Sequence, residues 1–157
     1  MSDDLLATGG PAPAVKLPRE TGDTLSFDDF AGKAIVLFFY PRADTSGCTK
    51  EAIAFTDHLG AFDKANTVVI GVSKDPVAKQ AKFRDKHDLG VPLLSDEVGD
   101  VCERYGVWVE KSMYGKTYMG IERTTVLLDA NHKIAQIWRK VKVPGHADVV
   151  LEAAQSL

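Results

Sequence analysis

Cysteine is scarce: the 157 residues contain two, Cys48 and Cys102. That is too few for a disulfide framework. They stand 54 positions apart with no histidine at ligand spacing, so no zinc site is expected. Long apolar runs are also missing. The longest, Ala34 to Phe39, is far too short to cross a bilayer. No basic run marks a nucleic-acid footprint, and no basic amphipathic stretch marks a membrane surface. The opening MSDDLLATGG is acidic and has no apolar h-region, so no signal peptide is expected and the expected compartment is the cytoplasm. There is no low-complexity tract, charge block or internal repeat, and a single domain spanning 1–157 is expected.

What remains is an ordinary globular composition, 45% apolar and 26% charged with a net charge of −3. Gly9 to Pro18 reads as an extended entry segment in which Val15 and Leu17 alternate. Ser26 caps a short helical turn that ends at Gly32, and Ala34 to Phe39 reads as a strand buried on both faces. From Cys48 to about Lys64, Ala52, Phe55, Leu59 and Phe62 form an apolar stripe at helical spacing. Thr67 to Val72 predicts a second buried strand. Asp75-Pro76 predicts an N-cap and first helical residue, opening a helix to about His87. Val91 to Leu94 predicts a short strand and Asp96 to Tyr105 a short helix, with Val98, Val101, Cys102 and Tyr105 on one stripe. Lys111 to Met119 is expected as a loop. Arg123 to Leu128 and Ile134 to Trp138 predict a hairpin, and a last helix from His146 turns Val149, Val150 and Ala153 inward. That order predicts an α/β fold with a mixed central sheet.

Cys48 falls where the first buried strand turns into a helix, so its sulfur would meet unpaired N–H groups and the positive end of the helix dipole. Two readings stand at this point. Most free cysteines are small buried core residues. Yet the flanking Thr45-Ser-Gly-Cys48-Thr is polar, as suits a reactive thiol whose thiolate is the nucleophile.

The stretch Pro41-Arg-Ala-Asp-Thr45-Ser-Gly-Cys48 resembles the Pro-x-x-x-Thr-x-x-Cys active-site motif of the peroxiredoxins. Thr49-Lys-Glu-Ala52 is similar to their bacterioferritin comigratory protein, or PrxQ, branch. Pro11-Ala-Pro, Tyr105-Gly-Val-Trp108, the Lys116 to Arg123 stretch with its following threonines, and Val143-Pro-Gly-His146 extend the likeness over nearly the whole chain. The resemblance implies a thioredoxin-like fold with helices on both faces of the sheet. It implies a thiol-dependent peroxidase without cofactor, in which Cys48 attacks the peroxide and becomes a sulfenic acid. Thr45 would orient the peroxide, Pro41 shield the sulfur, and Arg123 hold thiolate and peroxide oxygens. The partners implied are a hydroperoxide, thioredoxin or a small thiol as reductant, and at most a second copy of the chain.

Two departures bear on recycling. The resolving cysteine of many PrxQ proteins would stand at Ile53, and that of others around Phe83 to His87; neither place holds one. Only Cys102 remains, either packed in an apolar stripe or resolving after a large rearrangement. Glu51 either orients Arg123 or is a solvated helix residue, and Trp108, Tyr114 and Tyr118 either line the pocket or belong to the core. The histidines 58, 87, 132 and 146 form no cluster and read as surface or capping residues. The rival readings are a thiol–disulfide oxidoreductase, which lacks a Cys-x-x-Cys pair here, and a non-catalytic thioredoxin-like binding module.

Overall fold

The computed structural model describes residues 6–157. Its centre is β3 (Ala34–Phe39), six apolar residues with every side chain buried. β3 lies parallel to β4 (Thr67–Ser73) and antiparallel to β8 (Thr124–Leu128). β5 (Leu93–Ser95) and β9 (Ile134–Trp138) complete a sheet of order β5-β4-β3-β8-β9. A strand in the middle of a mixed sheet has both faces covered, which is why β3 shows no polar alternation. β1 (Lys16–Pro18) and β2 (Thr24–Ser26) form a small separate ribbon, followed by a 3-10 turn at Phe27–Phe30 whose N-cap Ser26 makes a capping box with Asp29.

The sheet divides the core in two. Ile35, Leu37 and Phe39 face Val15, Leu17, Phe27, Val101, Cys102 and Tyr105. Val36, Phe38 and Tyr40 face the helices α1 (Ser46–Asp57), α2 (Leu59–Lys64), α3 (Val77–Lys86) and α5 (His146–Gln155). The other face carries α4 (Val101–Arg104) and the N-terminal segment. Each fully buried Leu or Phe on this frame contributes roughly 1.5–3 kcal/mol.

Several expectations need correction. The helix expected from Cys48 to Lys64 begins two residues earlier and breaks at His58 into α1 and α2. Asp75 does not cap α3. Pro76 is the N-cap, and the Asp75 carboxylate instead accepts hydrogen bonds from the Ala43 N–H (2.8 Å) and the Ser73 hydroxyl (2.6 Å). The helix expected over Asp96 to Tyr105 shrinks to α4, because buried Asp96 turns its carboxylate onto the N–H groups of Val101 (3.2 Å) and Cys102 (2.8 Å). Val98 therefore leaves the stripe and is 94% exposed. In α5 the inward face is Ala147, Val150 and Ala154; Val149 is exposed and Ala153 half-buried.

The loop expected between Lys111 and Met119 is a hairpin of β6 (Trp108–Met113) and β7 (Lys116–Ile121). Its two-residue turn, Tyr114-Gly115, has φ of 53° and 78°, as a tight hairpin requires. Largely exposed strands need no apolar alternation, so the usual strand signal is missing.

Candidate active site

The loop from Pro41 to Thr45 leaves β3 and delivers the chain into α1, so Cys48 becomes the third residue of that helix. Its N–H lies in the unpaired first turn. The loop is fastened from two sides. Asp44, with φ of 59°, binds Lys86 Nζ and His87 Nε2 at 2.9 Å each, and the Ala43 N–H is bound by Asp75. The hydrogen bond to His87 first, then that to Lys86, hold the exposed Asp44 carboxyl below the usual carboxylate range. The Thr45 hydroxyl donates to the Arg42 carbonyl at 2.9 Å, while the Thr49 N–H bonds the Thr45 carbonyl.

Arg123 enters from the strand side, immediately before β8. Its Nη2 donates to Cys48 Sγ at 3.3 Å and its Nη1 to Glu51 Oε1 at 2.7 Å. The two acceptors stand three residues apart on α1 and so share one face of it. Cys48 and Glu51 are each about 1% exposed. Gly47 eases this approach: a Cβ there would stand a tight 3.2 Å from Arg123 Nη2. Sequence reading passed over Gly47, because close approach leaves no mark on composition. The Arg123 carbonyl is held in turn by the Val141 N–H at 2.9 Å.

Burial pushes the Glu51 carboxyl up to about 7 despite the opposing pull of Arg123, and its Oε2 is buried with no hydrogen-bond partner. Burial pushes the Tyr40 phenol up as well. Its hydroxyl donates to Gln80, whose amide donates to Ser73 Oγ (2.9 Å) and the Leu94 carbonyl (2.8 Å). His146, expected at the surface, is buried against Thr125 Oγ1 (2.8 Å) and the rings of Phe55 and Trp138. Burial first, then the charge of Arg123, lower it to about 4.

Of the residues singled out by sequence, Cys48, Glu51 and Arg123 come together, while Thr45 is the exposed N-cap of α1 with its hydroxyl on the Arg42 carbonyl, and Pro41 is half-buried at the exit of β3. Cys102 does not join them. It lies fully buried on the opposite face of the sheet, and burial followed by Asp96 raises its thiol pKa. Both cysteines are free thiols. Trp108, Tyr114 and Tyr118 sit on the β6–β7 hairpin. Tyr114 is 98% exposed at its tip, Tyr118 is exposed on β7, and Trp108 packs under Lys74 Nζ, 5.1 Å from its ring.

A polar loop presenting a cysteine at a helix start, with an arginine on its sulfur, is a thiol-enzyme arrangement. Residues 8–137 match the AhpC/TSA family. The chain is 49% identical over 146 residues to a putative peroxiredoxin bcp of Coxiella burnetii, covering 92% of this chain and 97% of that protein. It is 44% identical over 149 residues to Peroxiredoxin Bcp of Bacillus subtilis, covering 95% and 93%. Among solved structures, the bacterioferritin comigratory protein of Xanthomonas campestris superposes with a TM-score of 0.85 at 41% identity, over 90% of each chain. A PrxQ variant from Xylella fastidiosa gives 0.91 at 34% identity over 96% of each. The chain belongs to the AhpC/TSA family and is a peroxiredoxin, a thiol-dependent peroxidase of thioredoxin-like fold. Within that class it stands in the Bcp/PrxQ branch.

Proposed function

We propose that Cys48 is the peroxidatic residue and that Arg123, Thr45 and Pro41 build the site around its sulfur. The observation that carries this reading is the bond from Arg123 Nη2 to Cys48 Sγ at 3.3 Å. A fixed cation in a water-poor site stabilises the thiolate and, with little reorganisation, the charge that develops on a departing oxygen. The thiolate attacks the terminal oxygen of the hydroperoxide. An S–O bond forms, the O–O bond breaks, and the alkoxide or hydroxide leaves with a proton as alcohol or water. Cys48 is left as a sulfenic acid. Thr45, the N-cap of α1, would orient the peroxide with the hydroxyl it turns here to the Arg42 carbonyl, and Pro41 would stiffen the wall beside it.

Recycling comes from outside the chain, by thioredoxin or a small thiol. One thiol displaces water from the sulfenic acid to give a mixed disulfide, and a second restores Cys48. Cys102 takes no part. Supporting this is its place across the sheet, since a disulfide needs Cα atoms within about 7 Å. Substrates are hydrogen peroxide and organic hydroperoxides; the Xanthomonas relative is described for alkyl peroxide reduction. The whole chain works as one domain, in a reducing compartment such as the cytoplasm that keeps both thiols free.

Cys48→Ser is expected to abolish peroxide consumption with the fold intact. Mass spectrometry of peroxide-treated wild type is expected to show one added oxygen on the Cys48 peptide, then two. Consumption persisting in the Ser variant would move the chemistry elsewhere, and a Cys48–Cys102 peptide in high yield would overturn external recycling.

A further inference from the structure

The site holds two acidic groups and a single cation bonded to both. Arg123 Nη2 serves Cys48 and Nη1 serves Glu51, and all three side chains are largely withdrawn from water. With thiolate and carboxylate both ionised, one of the two negative charges is uncompensated in a poorly solvated place. With both protonated, Arg123 is uncompensated instead. A proton on Glu51 leaves Arg123 and the thiolate as a compensated pair. The buried, unpartnered Oε2 of Glu51 is the atom on which that proton can sit without breaking the bond from Arg123 to Oε1.

We propose that Glu51 holds the proton given up by Cys48, so that Arg123 spends its charge on the thiolate, and that this proton ends on the departing oxygen. This inference rests on the Cys48 reading above. The atoms balance within the site. Thiol and carboxylate become thiolate and carboxylic acid; attack forms the S–O bond and breaks the O–O bond; the alkoxide gains the proton from Glu51. The products are a sulfenic acid, an alcohol, and a Glu51 carboxylate paired with Arg123. No outside acid is consumed: Glu51 acts on the sulfur through Arg123 and acts as the acid for the departing oxygen.

The surroundings leave Glu51 this role. The charged and titratable groups facing the pair are Arg123 before β8, Lys111 on β6, His146 at the start of α5 and Tyr40 after β3. His146, pushed down to about 4, is neutral around pH 7, and Tyr40, pushed up, is neutral too. Lys111 is lowered by burial and Arg123, and its ammonium is tied to the Ile121 carbonyl at 2.5 Å. Burial pushes the Glu51 carboxyl itself up to about 7.

The test is Glu51→Gln, which keeps the size of the side chain and an oxygen acceptor for Arg123. Oxidation of Cys48 by hydrogen peroxide is followed by stopped flow from pH 5 to 9. Wild type is expected to give a bell whose alkaline limb falls by about tenfold, because ionised Glu51 reclaims Arg123. The Gln variant is expected to rise to a plateau. The same profile in both proteins would overturn the proposal and leave Glu51 as a mere support for Arg123. Should the variant fold poorly, difference infrared spectra of wild type decide. Peroxide treatment at neutral pH should remove a protonated-carboxyl band, and no change there would sink the idea. Failure of the Cys48 reading would look different, since Cys48→Ser would then keep its peroxide consumption.

Discussion

At the scale of single residues, the site turns on how closely one guanidinium approaches one sulfur. Arg123 is pinned at its head by Cys48 and Glu51 and at its backbone by Val141. Arg123→Ala is expected to slow Cys48 oxidation roughly a hundredfold or more, the usual loss for one preorganised donor. Gly47→Ala tests the same contact without touching a charge. The added methyl would stand 3.2 Å from Nη2, so the guanidinium must shift by a few tenths of an ångström. The oxidation rate is expected to fall about tenfold, because a modest misplacement of a reacting group carries large kinetic penalties. The unfolding midpoint should stay near that of wild type, since alanine is the better helix former. A rate equal to wild type would mean that Arg123 adjusts freely.

Among the elements, the turn before α4 shows how a short helix is ended and begun by one side chain. Asp96 is fully buried, takes two backbone N–H groups of the helix start, and faces Lys74 Nζ at 3.5 Å. Asp96→Ala leaves both donors without an acceptor inside the core, at a cost of about 2–4 kcal/mol. A urea midpoint unchanged by the substitution would contradict that bonding. Because Cys102 is one of the two bonded residues, its amide should also lose hydrogen-exchange protection. Lys74 keeps a second partner, Glu103 at 2.8 Å, so the loss is expected to come from the backbone donors rather than from a stranded ammonium.

For the molecule as a whole, two buried groups set opposing pH dependences. Glu51 has its folded pKa raised from 4.5 to about 7, so the native state binds more protons than the unfolded chain in that interval. Its contribution is fully present below about 4.5 and is lost as pH rises toward 7. His146 is lowered from 6.5 to about 4, so here the unfolded chain binds more protons. Its contribution is present above about 6.5 and is lost as pH falls toward 4. Each effect is on the order of 3 kcal/mol, and between pH 4.5 and 6.5 they oppose one another. The stability of wild type is therefore expected to vary little there. His146→Gln should uncover a decline with rising pH, and Glu51→Gln a rise. Denaturant unfolding at four or five pH values reads the slopes, and parallel curves for all three proteins would refute the linkage.

Local sequence determined what depends on near neighbours. Six apolar residues in a row fixed β3 as a central strand, and the polar step from Pro41 to Cys48 put a thiol at a helix start. The pattern of Pro41, Thr45, Cys48 and Arg123 carried the family resemblance, because those side chains serve chemistry rather than packing. Tertiary structure decided whatever depends on residues far apart in the chain. It set Arg123 on Cys48 across 75 positions, buried Glu51 beside them, and drew His146 out of water. It folded Lys111 to Met119 into a hairpin whose exposed faces leave no periodic signal, and spent Asp96 on a turn where periodicity suggested a longer helix. The reason is the range of the forces involved. Capping and periodicity act within a few residues, whereas desolvation and the sharing of one charge exist only after the sheet has brought distant segments together.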